Sequence, residues 1–189
     1  MSRYNPLLMA FLALTTISLA CNFGIRRPET LNEPIPVSSE AVDSLEDSLQ
    51  GAYQQAIAGE PVTLVIDEAQ LTSMVAFELQ ERGDVPFEDP QVYLRDGQIQ
   101  VVGKMRRQGI AVTTRVVLEA EVDDDGNVHL NVVSANFGPL PVPDSMIADM
   151  ETYLDSSFSK EISAMAPNTR IENISIENGQ MTITGQPIE

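Results

Sequence analysis

Apolar residues recur along this chain in two rhythms, one of three and four and one of two, and the switches between them mark its elements. Val42, Leu45, Leu49, Ala52, Tyr53 and Ala56 fall at helical spacing, which predicts a first helix over residues 39–57, ended by Gly59 and Pro61. Val62–Ile66 is a short β-branched run and reads as a strand. Asp67 with Gln70 three residues later forms a capping box, so a second helix opens there and closes at Gly83, with Leu71, Met74, Val75, Phe77 and Leu79 as its apolar positions.

The rhythm then changes to two. Residues 91–95 and 98–105 flank Asp96-Gly97, a strong short hairpin signal. Ile99, Val101, Gly103 and Met105 share one face of the second strand. Residues 110–122 make the longest strand, with Val112, Val116, Leu118, Ala120 and Val122 on one face and Thr114 as its polar interruption. Asp123–Asn127 turns the chain into a strand over 128–137, and a last hairpin over 170–177 and 180–185 turns on Asn178-Gly179. The expected fold is α+β: an antiparallel sheet of about six or seven strands packed with two or three amphipathic helices. One face of the sheet meets the helices, and the other is either wet or wraps an apolar groove.

Between the two strand groups lies a third predicted helix, residues 144–165, which follows the proline-rich segment 138–143. Its stripe runs through Met146, Met150, Leu154, Phe158, Ile162 and Met165. Two readings are open: ordinary core, or the lining of a groove for an acyl chain. Methionine is unbranched and polarisable and adapts to apolar ligands of variable shape. The groove reading takes Met146, Met150, Leu154, Phe158 and Ile162 as ligand-binding residues.

The N-terminus carries a different pattern. Leu7–Leu19 is 13 residues without a charge, following Arg3. A helix that crosses about 30 Å of hydrocarbon needs roughly 20 apolar residues, whereas a secretory h-region needs about 7–15. Cys21, the single cysteine, comes directly after Ser18-Leu19-Ala20. This arrangement resembles a bacterial lipoprotein signal, in which a small residue precedes a cysteine that is lipidated and becomes the mature N-terminus. Leu19 stands one place nearer the cysteine than in that pattern, and Ser18 takes its usual position. The resemblance implies a signal peptide over 1–20, a lipid on Cys21 and an extracytoplasmic protein anchored to the bacterial membrane. An ordinary secreted protein with a spare thiol and an uncleaved N-terminal anchor are the other readings. Residues 22–38 hold three prolines and no periodicity and read as a tether, extended at about 3.1 Å per residue. Residues 39–189 are then a single α+β domain.

Charge narrows the partners. Removal of residues 1–20, which carry Arg3 alone, leaves 10 basic residues against 28 acidic ones, a net charge of −18. Such a surface repels nucleic acid phosphates and gains nothing from anionic lipid surfaces. Membrane residence therefore falls to the acyl chains, and one chain alone binds only marginally.

Catalytic signatures are missing from the sequence: it has no Walker-type loop, no dinucleotide fingerprint and no Gly-x-Ser-x-Gly. His129, the only histidine, sits in a strand and reads as a surface residue. Asp123, Asp125 and Asn127 have alternating calcium-ligand spacing, but no glutamate closes the loop, so the run reads as a solvated turn. Lys104, Arg106 and Arg107 cluster at one hairpin tip, as a solvated loop or a contact for a headgroup or an acidic partner. No metal, cofactor or enzymatic activity is expected.

The strand–helix opening at Asp67–Leu71, the run Val92–Gly97 and the 138–143 segment before a long helix together resemble a group of bacterial lipoproteins. They are similar, more loosely, to the YpmS-like and LmeA-type envelope proteins. That resemblance spans about residues 60–186 and implies a lipid-binding fold in which an antiparallel sheet wraps helices around an apolar groove. The expected function is a membrane-anchored, non-catalytic domain that binds a lipid or other apolar ligand at the cell envelope. The alternative is a protein-interaction or structural module of an envelope assembly.

Overall fold

Two of the three Asx-Gly dipeptides, Asp96-Gly97 and Asn178-Gly179, close two-residue hairpins. Asp96 and Gly97 have φ of 54° and 78°, and Asn178 and Gly179 have 54° and 79°, the mirror-image turn backbone that Asp, Asn and Gly tolerate best. The computed structural model describes residues 34–83, 87–107, 109–148, 151–152 and 166–188. The elements are α1 (Ser39–Ala58), β1 (Val62–Asp67), α2 (Glu68–Arg82), β2 (Phe87–Arg95), β3 (Gln98–Arg107), β4 (Ile110–Val122), β5 (Val128–Phe137), β6 (Leu140–Pro141), β7 (Thr169–Glu177) and β8 (Gln180–Pro187). Residues 144–148 and 151–152 are also helical. The architecture is α+β, as the rhythm predicts.

The strands form two antiparallel sheets rather than one, ordered β2-β3-β4-β5-β6 and β1-β8-β7. β1 leaves the central run to pair with the C-terminal hairpin, with Leu64 opposite Ile183 and Ile66 opposite Met181. Alternation along a strand says which face is buried but not which distant strand lies beside it. β4 and β5 pair in register except for one shift between Val117 and Leu118, which leaves Val133 unpaired and 50% exposed.

The inner faces of both sheets meet α1 in one core. Val62, Leu64, Ile66, Ile171, Ile176, Met181 and Ile183 come from the smaller sheet, and Val92, Leu94, Ile99, Leu118, Val128 and Leu130 from the larger. Leu45, Ala52 and Ala56 of α1 close it, while Tyr53 of the same predicted stripe is 42% exposed. Leu94 has no exposed surface at all, and burying such a side chain contributes roughly 1.5–3 kcal/mol.

α2 departs from the amphipathic pattern: its buried residues are Gln70, Thr72 and Ser73. The reason is the edge of β2. Thr72 Oγ1 accepts from Val92 N at 2.9 Å and Glu68 Oε1 from Leu94 N at 2.7 Å. One helical turn from residue 68 to 72 rises about 6 Å, close to the roughly 6.7 Å between alternate strand residues, so a helix laid antiparallel to the strand meets successive outward N–H groups. The next in that series is Pro90, which has none. Ser73 Oγ accepts from Ser38 N at 3.1 Å, and Gln70 Nε2 donates to Ser44 Oγ at 3.0 Å. The capping box at Asp67 and Gln70 forms as read. Polar side chains thus seal an edge that otherwise invites another strand.

Candidate functional site

The core ends, on the larger sheet, at the row in which Val101 faces Val116. Beyond it the same inner face continues toward the β3–β4 hairpin tip. The next row is Gly103, Thr114 and Phe137, and the one after pairs Met105 with Val112. Phe87 enters β2 opposite Met105, and its ring lies on Gly103 where a Cβ would otherwise stand. Glycine in a strand interior commonly marks such a close approach. Gly138, at φ of 60°, brings the next turn against Val112. Phe87, Met105, Val112 and Phe137 are half-buried, and none belongs to the core cluster.

Thr114 stands in the middle of this strip, 7% exposed, and its Oγ1 has no hydrogen-bond partner. A buried hydroxyl without a partner costs roughly 1–3 kcal/mol. The second orphaned side-chain oxygen, Gln100 Oε1, lies on the outer face, on a half-buried residue. The polar interruption visible in the β4 sequence is therefore also an orphaned polar atom of the folded chain.

Two cations of this hairpin are paired. Lys104 Nζ meets Asp89 Oδ2 at 2.8 Å, and Arg106 meets Glu88 through Nε at 2.8 Å and Nη2 at 3.0 Å. The Arg106 hydrogen bond holds the Glu88 carboxyl below its ordinary value, and the Asp89 bond holds Lys104 above its own. Lys104 and Arg106 are thus matched by carboxylates of β2, and the Arg107 side chain lies outside the described residues.

The acidic run forms the solvated turn. Asp123 Oδ1 accepts from Asp125 N at 2.9 Å and Asn127 N at 2.8 Å, while Oδ2 takes Asn127 Nδ2 at 2.9 Å. His129 Nε2 lies 3.3 Å from the same Oδ2. The Asn127 hydrogen bonds, first among several, hold the Asp123 carboxyl well below the usual carboxylate range. Its oxygens are engaged by the turn. Among the described residues, no group of three or more His, Cys, Asp and Glu is placed to hold a metal ion.

Of the sequence-predicted groove residues, Met146 lies within the 144–148 helical segment and is 58% exposed. Met150, Leu154, Phe158 and Ile162 lie outside the described residues, as does Cys21. The helical residues 151–152 reach the β5 edge, where Glu151 Oε1 accepts from Val132 N at 2.9 Å. Phe87 and Phe137 were not legible as site residues; a glycine amid β-branched neighbours was their only signal. A separate recess of about 530 Å³ sits where β4 and β7 meet, floored by Ala120, Ile174 and Ile176 and rimmed by Asp96 and Glu177. Among the described residues no helix is long and apolar enough to cross a membrane. No family model, curated protein or solved structure matches this chain.

Proposed function

We propose that this chain is a membrane-anchored lipoprotein domain of the cell envelope, held through a lipid on Cys21, that binds a lipid or other apolar ligand without catalysing a reaction. The ligand lies along the distal inner face of the larger sheet, over Phe87, Gly103, Met105, Val112, Thr114 and Phe137. One observation carries this reading: the apolar face runs on past the core as a half-buried strip with an unpaired hydroxyl at its centre. Ligand sites are mostly apolar with few oriented polar groups, and a strip that served only as core would not need Thr114 where valine fits. The sequence resemblance to lipid-binding envelope proteins points the same way.

Native mass spectrometry of the chain purified from its membrane tests it, with a lipid adduct lost on Gly103→Val, which drives the Phe87 ring into the strip. A protein free of adduct that also displaces no apolar dye would end the proposal. Anchoring is tested separately by growth on labelled fatty acid, where label on the wild type and none on Cys21→Ser is the expected result.

The second reading, an interaction module of an envelope assembly, draws on Ile110 and Leu140, each 67% exposed. Strand addition at β2 is closed to it, because α2 occupies that edge. A stoichiometric protein crosslinked at Ile110 or Leu140 in native membranes would favour it.

A further inference from the structure

The chemistry of the strip constrains what lies in it. Resting on the apolar-ligand reading above, we propose that the ligand is an acylated lipid whose neutral ester or amide carbonyl accepts a hydrogen bond from Thr114 Oγ1, between the Phe87 and Phe137 rings.

Three observations support a carbonyl at this point. Thr114 is 7% exposed and its hydroxyl, covered in the free protein, has no partner; a ligand that shifts the Phe87 ring off Gly103 uncovers that donor, which a pure hydrocarbon would leave unsatisfied and a carbonyl satisfies. The register sets Gly103 on one side of Thr114 and Phe137 on the other, and the Phe87 ring lies over Gly103. Thr114 thus shares its row with Gly103, under the Phe87 ring, and with Phe137, and neither brings a second polar side chain. A strip of this kind accepts an aliphatic chain with one hydrogen-bonding interruption.

A free carboxylate fits poorly. It would surrender its hydration on an apolar face for a single neutral hydrogen bond, and buried charges need pairing. Lys104 and Arg106 project from the opposite face of β3, as alternation requires, and already pair with Asp89 and Glu88. The whole chain carries a net charge of −17, which adds repulsion. The ligand group at Thr114 is therefore uncharged, and it is an acceptor.

The test uses the full-length chain held in a fluorinated surfactant, whose tails mix poorly with hydrocarbon, titrated calorimetrically with methyl laurate, laurate and tridecane. One neutral hydrogen bond corresponds to roughly a fivefold gain in affinity. Methyl laurate is expected to bind about fivefold more tightly than tridecane and more tightly than laurate. Thr114→Val should bring methyl laurate to the tridecane level and leave tridecane unchanged, and Thr114→Ser, which keeps the hydroxyl, should retain the preference. Laurate binding more tightly than its methyl ester, or an undiminished ester preference in Thr114→Val, would overturn this inference while leaving the apolar strip in place. Binding of none of the three probes would overturn the apolar-ligand reading itself.

Discussion

Two halves of one sheet face behave differently in this molecule. The proximal half, from Val92 and Leu94 across to Leu118 and Leu130, is closed by a second sheet and by α1. Its awkward edge is closed by α2, whose Thr72 and Glu68 satisfy the outward N–H groups of β2. The distal half continues the same alternation through Gly103, Thr114 and Phe137, yet its apolar side chains stay half-buried and its one hydroxyl stays unpaired. The contrast between two threonines teaches most. Thr72, with no exposed surface, bonds to backbone; Thr114, almost as buried, bonds to nothing in the protein. A fold that pairs its polar atoms so thoroughly along one edge has left one without a partner on the neighbouring face, and a ligand would give that atom a purpose.

The largest expected effect comes from deleting the proximal core. Leu94→Ala should cost about 2–5 kcal/mol in denaturant unfolding, whereas Met105→Ala, half-buried on the distal strip, should cost about 1 kcal/mol. Equal losses would mean that the distal strip is core after all. Next, the isosteric change at the two threonines should split in sign. Thr72→Val strands the Val92 N–H and costs about 1–3 kcal/mol, while Thr114→Val removes an unsatisfied hydroxyl and is neutral or stabilising in the absence of ligand.

The glycines sharpen the same contrast. A Cβ on Gly185 would stand 2.7 Å from the Arg170 carbonyl oxygen, which belongs to the backbone of β7. Gly185→Ala should therefore cost about 1–3 kcal/mol by overpacking. At Gly103 the obstacle is the movable Phe87 ring, so Gly103→Ala should cost less stability and more ligand affinity, read by unfolding and titration on the same preparation.

The smallest effect is that of pH. Asp123 is held below its ordinary value of 3.8 by the hydrogen bonds of its turn. A carboxyl with a lowered folded-state pKa contributes stability above its ordinary value and loses that contribution as pH falls through the lowered one. Wild type should therefore exceed Asp123→Ala in stability at neutral pH, and the gap should narrow as pH falls from about 4 toward 2. A gap that persists unchanged would mean that the turn does not depend on the charge of Asp123.

Much of the frame was legible because its signals are local. Asp96-Gly97 and Asn178-Gly179 set two hairpins, Asp67 with Gln70 set the start of α2, and period two set β4 at Ile110–Val122. The division into two sheets was not legible, since the pairing of Leu64 with Ile183 joins distant segments. Nor was the polar burial of α2, because only the β2 edge gives Thr72, and the Ser38 backbone gives Ser73, a reason to face inward. Within the site, Thr114 was visible as an interruption in an apolar face, but nothing in a sequence tells an orphaned hydroxyl from a paired one. The Phe87 ring over Gly103 required knowing that β2 begins opposite Met105.

Amide hydrogen exchange on the full-length chain, with and without methyl laurate, tests the central claim most directly. The account predicts slower exchange confined to residues 103–105, 112–114 and 135–137, with residues 92–94 and 118–122 unchanged. Exchange that stays the same throughout, or slows evenly over both halves, would contradict it.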